Sequence, residues 1–341
     1  MSQIVTRNSS PLQINWQKEL SDVITDPRQL LLELDLNPDD YAEHIKARRL
    51  FPLRVPRYFV SLMQRGHPND PLLRQILPDL AEFNITPGFS PDPLKEQQGP
   101  VPGLLHKYHN RVLLVVRGGC AVNCRYCFRR HFPYQDNAPG RHGWDKAIEY
   151  INARPAINEV ILSGGDPLMA NDRHLAKLID ALADIPHLKR LRIHSRLPVV
   201  IPSRITPGLV AHLSKCRLKC TLVTHVNHPN EVSERFKQAI RPLHQSGIWL
   251  LNQSVLLAGV NDNVQTLAEL SEALFDSEIH PYYLHLLDKV SGAAHFEVSQ
   301  EQAIAIMQEL YTLLPGFLIP RLVREEPHKQ SKTPQDLGLS R

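Results

Sequence analysis

Three cysteines, Cys120, Cys124 and Cys127, lie within eight positions of the chain in a C-x3-C-x2-C pattern. Thiolates are common ligands of both zinc and iron–sulfur clusters. Structural zinc sites take four ligands, and the remaining cysteines, Cys216 and Cys220, favour core packing at a helix end and a strand start. Three thiolates instead ligate three irons of a cubane and leave the fourth iron open. The spacing therefore predicts a [4Fe–4S] cluster rather than a zinc site or three incidental core cysteines.

The open iron defines the chemistry that this cluster offers. It can bind the amino and carboxylate groups of S-adenosylmethionine, whose sulfonium bond breaks when the cluster donates one electron, which yields a 5′-deoxyadenosyl radical. The protein then has to position the cofactor and shield it. Tyr126, directly before the third cysteine, is expected to pack over the adenine. The cysteine pattern thus predicts a radical enzyme.

The cysteines follow the first of several short β-rich runs that alternate with amphipathic stretches. Strands are predicted at 111–116, 159–163, 190–195, 219–225, 248–257, 280–288 and 317–323, and helices at 144–153, 171–184, 230–246, 263–276 and 299–313. This alternation is typical of βαβ units and a parallel sheet. Because the chain has no dinucleotide-binding glycine fingerprint, we predict an incomplete α/β barrel rather than a doubly wound sheet.

Polar side chains lie at, or just after, the carboxyl ends of these predicted strands. They are Cys120, Asp166, Ser195, His225, Gln253 and Asp288. In (βα) barrels the active site is built at this rim of the strands. We therefore expect these six side chains to share one site.

Composition divides the chain into three segments. Residues 1–100 are predicted to form a helical, proline-punctuated region with helical spacing over 16–34 and 57–65, ending in a Pro- and Gly-rich linker. Residues 101–324 carry the barrel pattern, and residues 325–341 form a short polar tail. From composition alone that tail is typical of disorder.

Bulk properties exclude several classes of function. The 341 residues carry a net charge of only +4 with no polybasic run, so we expect no nucleic-acid partner. No stretch approaches the ~20 apolar residues of a membrane span, and the polar N-terminus has no secretory apolar region. We expect a cytoplasmic protein that binds no membrane.

The cysteine motif resembles that of the radical S-adenosylmethionine superfamily. A second element, Ser-Gly-Gly-Asp-Pro at 163–167, follows the second predicted strand, where the superfamily has its glycine-rich motif. The resemblance implies a partial (βα)6-type TIM barrel. It also implies that Gly164, Gly165 and Asp166 hold the methionine moiety, with glycines permitting close approach of the backbone to the ligand.

Longer runs are similar to lysine 2,3-aminomutase, and most closely to a short bacterial branch that serves β-lysylation of elongation factor P. They are 102–116, 124–132, 192–206, 224–231, 251–262, 281–288 and Ser-Lys-Thr-Pro at 331–334. This resemblance implies an isomerase that converts L-lysine to β-lysine with pyridoxal 5′-phosphate as a further cofactor. It implies that Lys332 holds that cofactor as a Schiff base, and that the short tail is an ordered lid.

The resemblance also assigns the remaining site residues. The predicted contacts are Lys107 and Arg111 for the pyridoxal phosphate group; Ser195, His225 and Gln253 for S-adenosylmethionine; and Arg129, Asp288 and Glu325 for the carboxylate and side-chain ammonium of lysine. Two positions depart from the family pattern, since arginine is more usual at Lys107 and aspartate at Glu325. The first exchanges a bidentate fork for a point charge, which weakens the expected hold on phosphate.

The implied partners are L-lysine, elongation factor P with its lysyl-ligating enzyme, and a reductant such as flavodoxin or ferredoxin; a homo-oligomer is possible. Three alternatives remain open at this point: a free-lysine aminomutase unconnected to translation, a radical enzyme acting on another amino acid, and a cluster-bearing sensor without catalysis. The acidic pair Asp288 and Glu325 favours a cationic substrate, and Lys332 argues against a sensor, which needs no Schiff-base lysine.

Overall fold

The structure is a computed structural model that describes residues 15–97, 99–135, 137 and 144–339. A two-stranded antiparallel ribbon of β1 (Val23–Ile24) and β2 (Val55–Pro56) lies in the N-terminal region. Nine further strands form one sheet in the order β11-β10-β9-β8-β7-β6-β5-β4-β3. They are β3 (Leu104–Tyr108), β4 (Arg111–Arg117), β5 (Glu159–Gly164), β6 (Arg190–Ser195), β7 (Lys219–Thr224), β8 (Trp249–Val255), β9 (His280–His285), β10 (Arg321–Arg324) and β11 (Thr333–Pro334).

Helices connect the strands and cover the N-terminal region. The α-helices are α1 (Trp16–Ser21), α2 (Pro27–Glu33), α3 (Ala42–Ile45), α4 (Arg57–Val60), α5 (Pro71–Arg74), α6 (Asp145–Asn152), α7 (Asp172–Ala183), α8 (Leu197–Val200), α9 (Pro207–Lys215), α10 (Glu234–Gln245), α11 (Val264–Phe275) and α12 (Gln300–Leu313). Short 3-10 helices lie at Pro38–Tyr41, Lys46–Arg49, Leu80–Phe83, Pro167–Met169, Pro202–Arg204, Pro229–Glu231, Ala294–Phe296 and Gly316–Leu318.

The central strands, β4 to β10, run parallel and are joined by helices in six βα crossovers. β5 is buried almost continuously, as expected where helices cover the outer face of a parallel sheet, whereas buried and half-buried residues alternate in β6 and β8. Asn and Ser side chains cap the N-termini of helices. Asn171 at α7 and Ser299 at α12, for example, accept a backbone N–H group of the first turn. The predicted partial (βα)6 barrel is confirmed.

Antiparallel strands border the parallel sheet on both sides, β3 beside β4 and β11 beside β10. Within the described part of the chain no backbone ladder joins β3 to β11. Side chains close the gap instead, since Lys107 and Tyr108 of β3 both bind the carboxylate of Glu325, which directly follows β10. An ion pair and a hydrogen bond thus connect the two sides of the barrel where no backbone ladder joins them in the described residues.

The N-terminal region differs from the sequence prediction. The helix predicted over 16–34 is in fact two helices. The β-branched residues 23–25 favour an extended backbone and include strand β1, and Pro27 then begins a new helix that Asp26 caps. The helix predicted over 57–65 ends at Val60. One apolar core includes Leu30 and Phe59 together with residues of the barrel strands. The boundaries 1–100, 101–324 and 325–341 therefore stay predictions.

Two edge strands were missed, and one strand begins later than expected. β3 has no alternating pattern, and β11 is only two residues long. The strand predicted at 317–323 begins at Arg321, because residues 316–318 form a 3-10 turn and Pro320 has no N–H for the sheet. None of the helices in the described residues combines the length and apolar character needed to span a bilayer.

Candidate active site

One cavity of about 480 Å³ is lined by residues of the barrel strands and of the loops that follow them. Its volume is within the range usual for small-molecule sites. Fourteen of the fifteen residues predicted for the site line this cavity. They are Cys120, Cys124, Cys127, Gly164, Gly165, Asp166, His225, Gln253, Lys107, Arg111, Arg129, Asp288, Glu325 and Lys332. The remaining one, Ser195, does not reach it.

Ser195 is buried and hydrogen-bonds to Asp166. Its hydroxyl donates to Asp166 Oδ1 at 2.8 Å, and the same carboxylate accepts the backbone N–H groups of Arg196 at 2.9 Å and Leu197 at 3.0 Å. Burial raises the pKa of Asp166 to about 6, although these hydrogen bonds act in the opposite direction. The pair ties the loop after β5 to the loop after β6, which accounts for both side chains without a cofactor contact; a direct ligand contact of Ser195 stays a prediction.

The glycines after β5 are required by a neighbouring loop. A Cβ on Gly165 would lie 2.6 Å from the carbonyl oxygen of Gly119, and Gly164 has a φ of +116°. The backbone N–H of Asp166 donates to the Gly119 carbonyl at 3.0 Å. The glycine-rich motif therefore packs directly on the start of the cysteine loop. The predicted contact with the methionine moiety is compatible with its place on the cavity wall and stays a prediction.

The cysteine loop brings three thiols to one end of the cavity. Burial, followed by the neighbouring thiols, raises the pKa of Cys120 well above its usual value and that of Cys127 to about 11. Binding of a metal replaces the protons of thiol ligands and so offsets the raised pKa values of Cys120 and Cys127. The donor set fits an iron–sulfur cluster, and Cys120, Cys124 and Cys127 are the residues that would hold it.

The N-terminal region holds this loop from outside the barrel. The backbone N–H of Asn123 donates to the carbonyl of Arg54 at 2.9 Å, and that of Arg125 to the carbonyl of Gln75 at 2.8 Å. Residues that had no predicted role therefore fix the backbone between the cysteines.

A buried ion network adds to this support. Glu82 accepts from Arg125 Nε at 2.8 Å and from Arg130 Nη2 at 2.6 Å, and none of the three side chains is exposed. Arg196, from the loop after β6, donates to Cys124 Sγ at 2.7 Å. These residues were missed, because single charged residues far apart in the sequence carry no spacing signal.

The opposite end of the cavity collects cations around one carboxylate. Lys332 donates to Glu325, whose other oxygen accepts from Lys107 Nζ at 2.9 Å and from the Tyr108 hydroxyl at 2.5 Å. Burial opposes ionisation of Glu325, but the two ammonium groups outweigh it and hold its pKa well below the usual range. The guanidinium of Arg111 lies 4.1 Å from the centre of the Tyr108 ring.

Arg129 lies between the two ends, close to the cysteines. Its Nε and Nη2 donate to one oxygen of Glu96 at 3.1 and 2.8 Å, and its Nη1 donates to the hydroxyl of Ser163 at 3.1 Å. Glu96, which also lies 3.7 Å from Lys107, was not predicted, because it stands in the Pro- and Gly-rich linker. The Glu96 contacts use the side edge of the guanidinium and leave N–H groups at its far end for a carboxylate ligand.

Imidazoles line the barrel interior between these cations. His225 and Gln253 are in contact, with 2.9 Å between their side-chain nitrogens. Burial and nearby cations lower the pKa values of His194 and His285, and burial lowers that of His225 to about 3, so the three rings are neutral. Among the described residues, the Nε2 atoms of His194 and His285 have no partner although both are buried. Unpaired buried nitrogens facing a cavity are suited to a polar ligand.

This end fits pyridoxal phosphate. Lys332 supplies an amine, Lys107 and Arg111 supply cations for the phosphate, and the neutral imidazoles offer hydrogen bonds to ring substituents. Asp288 stands beside them on the cavity wall. Burial raises the pKa of its carboxyl to about 7, with Lys332 acting against the shift and Glu325 adding to it.

Comparison with known proteins agrees with this arrangement. The model of the radical SAM superfamily matches residues 114–271. An L-lysine 2,3-aminomutase of Escherichia coli (strain K12) is 57% identical over 340 residues, covering 99% of this chain and 99% of that protein. An L-lysine 2,3-aminomutase of Haemophilus influenzae is 52% identical over 320 residues, covering 94% and 95%.

A longer relative shows the same similarity. The L-lysine 2,3-aminomutase of Clostridium subterminale is 37% identical over 322 residues, which cover 94% of this chain and 77% of that protein. The matches to the shorter enzymes thus extend along nearly the whole of both chains, and the match to the Escherichia coli enzyme includes the cysteine loop and the segment that carries Lys332. This chain belongs to the lysine 2,3-aminomutase family within the radical SAM superfamily.

Proposed function

We propose that this protein is an L-lysine 2,3-aminomutase that converts L-lysine to β-lysine. The observation that carries the proposal is that one cavity is lined both by the three cysteines and by Lys332, Lys107 and Arg111. A radical generator and an amine-binding cofactor are useful together only if one substrate reaches both. The family relationship indicates the type of reaction, and the charged side chains of the cavity favour lysine as the substrate.

The cofactors supply the reactive chemistry when bound: the cluster with S-adenosylmethionine supplies a carbon radical, and pyridoxal phosphate supplies a π-system that can hold the amino group while it migrates. The chain's own residues orient and shield the substrate. Cys120, Cys124 and Cys127 would hold the cluster, and Lys332 would hold pyridoxal phosphate.

Charge complementarity supports lysine over other amino acids. Arg129 offers two free N–H groups to the substrate carboxylate, and Asp288 and Glu325 offer carboxylates to the side-chain ammonium. A glutamate substrate would place a second anion against this acidic pair, in a buried environment where repulsion between like charges is strong. A cationic side chain replaces the charge that Lys332 and Lys107 now provide to Glu325.

Anaerobic turnover tests the proposal directly. The protein is reconstituted with iron and sulfide, supplied with pyridoxal phosphate, S-adenosylmethionine, reductant and L-lysine, and assayed for β-lysine by chromatography with mass detection. We expect β-lysine from the unsubstituted protein and from Cys216→Ala, a cysteine outside the cavity, and none from Cys124→Ala or Lys332→Ala. Cleavage of S-adenosylmethionine without β-lysine would contradict the aminomutase and leave the superfamily assignment intact.

We further propose that the β-lysine is attached to elongation factor P by a lysyl-ligating enzyme in the cytoplasm, with a flavodoxin or ferredoxin as reductant. The similarity to the short bacterial branch supports this link. Acid hydrolysis of elongation factor P from cells with and without the gene, followed by chromatography that separates β-lysine from its isomer lysine, tests it. We expect β-lysine to be absent from the hydrolysate on deletion and to return when β-lysine is supplied. Unchanged release of β-lysine would favour a free-lysine enzyme unconnected to translation.

A further inference from the structure

We propose that Arg196 is a positioning residue that raises the reduction potential of the cluster through its hydrogen bond to Cys124, and that Glu231 limits this effect. The inference rests on the proposed function, because it takes Cys124 as a cluster ligand. It concerns neither the ligands themselves nor the residues assigned to substrate or pyridoxal phosphate.

The guanidinium of Arg196 spans from the cysteine to a buried carboxylate. Its Nη1 lies 2.7 Å from Cys124 Sγ and 2.5 Å from the hydroxyl of Tyr126. Its Nη2 lies 2.7 Å from Gln75 Oε1 and 2.9 Å from Glu231 Oε2. One end of the cation therefore faces the sulfur and the other faces the anion.

Glu231 and Gln75 leave the guanidinium no freedom to turn away. The Glu231 side chain is fully buried, and its second oxygen accepts from Gln75 Nε2 at 3.1 Å and from the backbone N–H of Asn227 at 3.0 Å. Gln75 Oε1 accepts from Asn227 Nδ2 at 3.0 Å as well as from Arg196. The side-chain oxygens of Glu231 and Gln75 all have partners, whereas the buried Nε of Arg196 has none among the described residues. The direction of the Arg196 N–H toward the sulfur is thus set by the N-terminal region and by the loop after β7.

Aromatic rings enclose the same guanidinium. The centres of the Phe59 and Tyr126 rings lie 5.4 and 5.8 Å from Cζ of Arg196, whose side chain is only 6% exposed. Water has little access to this contact, so the charge is weakly screened. A hydrogen bond in such surroundings is electrostatically stronger than one in water.

Reduction adds one electron to the cluster and increases the negative charge on its sulfur ligands. Donors to those sulfurs and nearby positive charge stabilise the reduced form and raise the potential. Arg196 provides both at Cys124. Glu231 acts in the opposite sense but from the far nitrogen of the guanidinium. The net effect of the pair is therefore a raised potential, and removal of either member shifts the potential in a different direction.

The test is a redox titration monitored by electron paramagnetic resonance on the full chain with reconstituted cluster, without S-adenosylmethionine. In Arg196→Gln we expect the reduction equilibrium to fall about tenfold, a shift of about 59 mV to lower potential for a one-electron couple. Arg196→Lys, which keeps a charge without the fork, should give a smaller shift of the same sign. Glu231→Gln should shift the potential upward.

A matched control separates tuning from structural support. Arg217 binds the carbonyls of Ala183, Ile185 and Leu188 outside the cavity, so Arg217→Gln should destabilise the fold without moving the potential of the loaded protein. Potentials of Arg196→Lys and Glu231→Gln that equal that of the unsubstituted protein, at equal iron content, would overturn the inference even if Arg196→Gln fails to fold. If β-lysine forms normally while the potentials do not move, only this inference fails. If no cluster forms in the unsubstituted chain, the proposed function fails with it.

Discussion

Buried charges are compensated in different ways at the two ends of the cavity. At the cysteine end, the charges of Arg125, Arg130 and Arg196 are met by Glu82 and Glu231, and every one of these side chains is buried. At the lysine end, the cations share two carboxylates, Glu325 and Glu96, in a space that remains open to ligands. The cations concerned are Lys107 and Lys332, together with Arg129, which lies closer to the cysteines.

This difference distinguishes residues that support the cysteine loop from residues that would bind ligands. The protein itself completes the pairing around the cysteine loop, so that end is preorganised before any cofactor binds. At the lysine end the internal pairs occupy the same groups that would hold phosphate, carboxylate and ammonium. A ligand there replaces one ion pair with another. Substitutions should therefore change stability at the first end and substrate kinetics at the second.

The largest stability effect is expected at the cysteine end with Glu82→Gln. It leaves Arg125 and Arg130 buried beside a neutral amide, and loss of one member of a buried ion pair costs about 3–5 kcal/mol. Chemical denaturation measures the change in the free energy of unfolding. Glu43→Gln is the control, since the Glu43–Lys46 pair is exposed and is expected to contribute no more than ~1 kcal/mol. Equal losses in both variants would break the comparison.

A kinetic effect is expected from Glu325→Gln. The amide no longer balances the substrate ammonium, so kcat/KM for lysine should fall about tenfold to a hundredfold, the equivalent of ~1.5–3 kcal/mol for hydrogen bonds to charged groups. The neighbouring Glu326→Gln is the control, because Glu326 binds Thr333 rather than a cavity cation. If both variants keep the original kcat/KM, Glu325 does not balance the substrate ammonium.

Glu96→Gln sharpens the same contrast with a smaller effect. It weakens the hold on the side edge of Arg129, so the guanidinium is less well oriented toward the substrate carboxylate. We expect KM for lysine to rise severalfold, the equivalent of ~1 kcal/mol, with the melting temperature nearly unchanged. Lysine amide, which lacks the carboxylate, should lose little from the substitution. An equal loss for lysine and its amide would argue against this role of Glu96.

The smallest effect concerns pH. A carboxyl whose pKa is raised to about 7 is protonated below that pH and then carries no charge for the substrate ammonium. The Asp288 carboxyl should therefore make kcat/KM about half as large at pH 7 as at pH 8, with a further fall below pH 7. In Asp288→Asn, kcat/KM should be lower throughout and this acid limb should disappear. Persistence of the same limb in that variant would assign it to another group.

Local patterns predicted more of this molecule than long-range ones. The cysteine loop is a short motif, and the parallel strands follow from apolar runs between amphipathic helices, so both were predicted within a few residues. Lys332 was identified only through its motif, because composition favours a disordered tail. Arg196, Glu231 and Glu96 were missed, since their partners are far away in the sequence. Ser195 was predicted at the correct rim, but its side chain faces Asp166. The backbone N–H groups that orient the Asp166 carboxylate cannot be predicted from any spacing rule.

The central claim is that the cysteine loop and Lys332 act on one substrate in one cavity of one chain. Mixing two inactive variants tests it most directly: Cys124→Ala keeps Lys332, and Lys332→Ala keeps all three cluster cysteines. After both are purified, supplied with every cofactor and combined under anaerobic conditions, we predict no β-lysine from the mixture, while the unsubstituted protein at the same concentration produces it. Formation of β-lysine by the mixture would show that the two centres act from separate chains and would contradict the account.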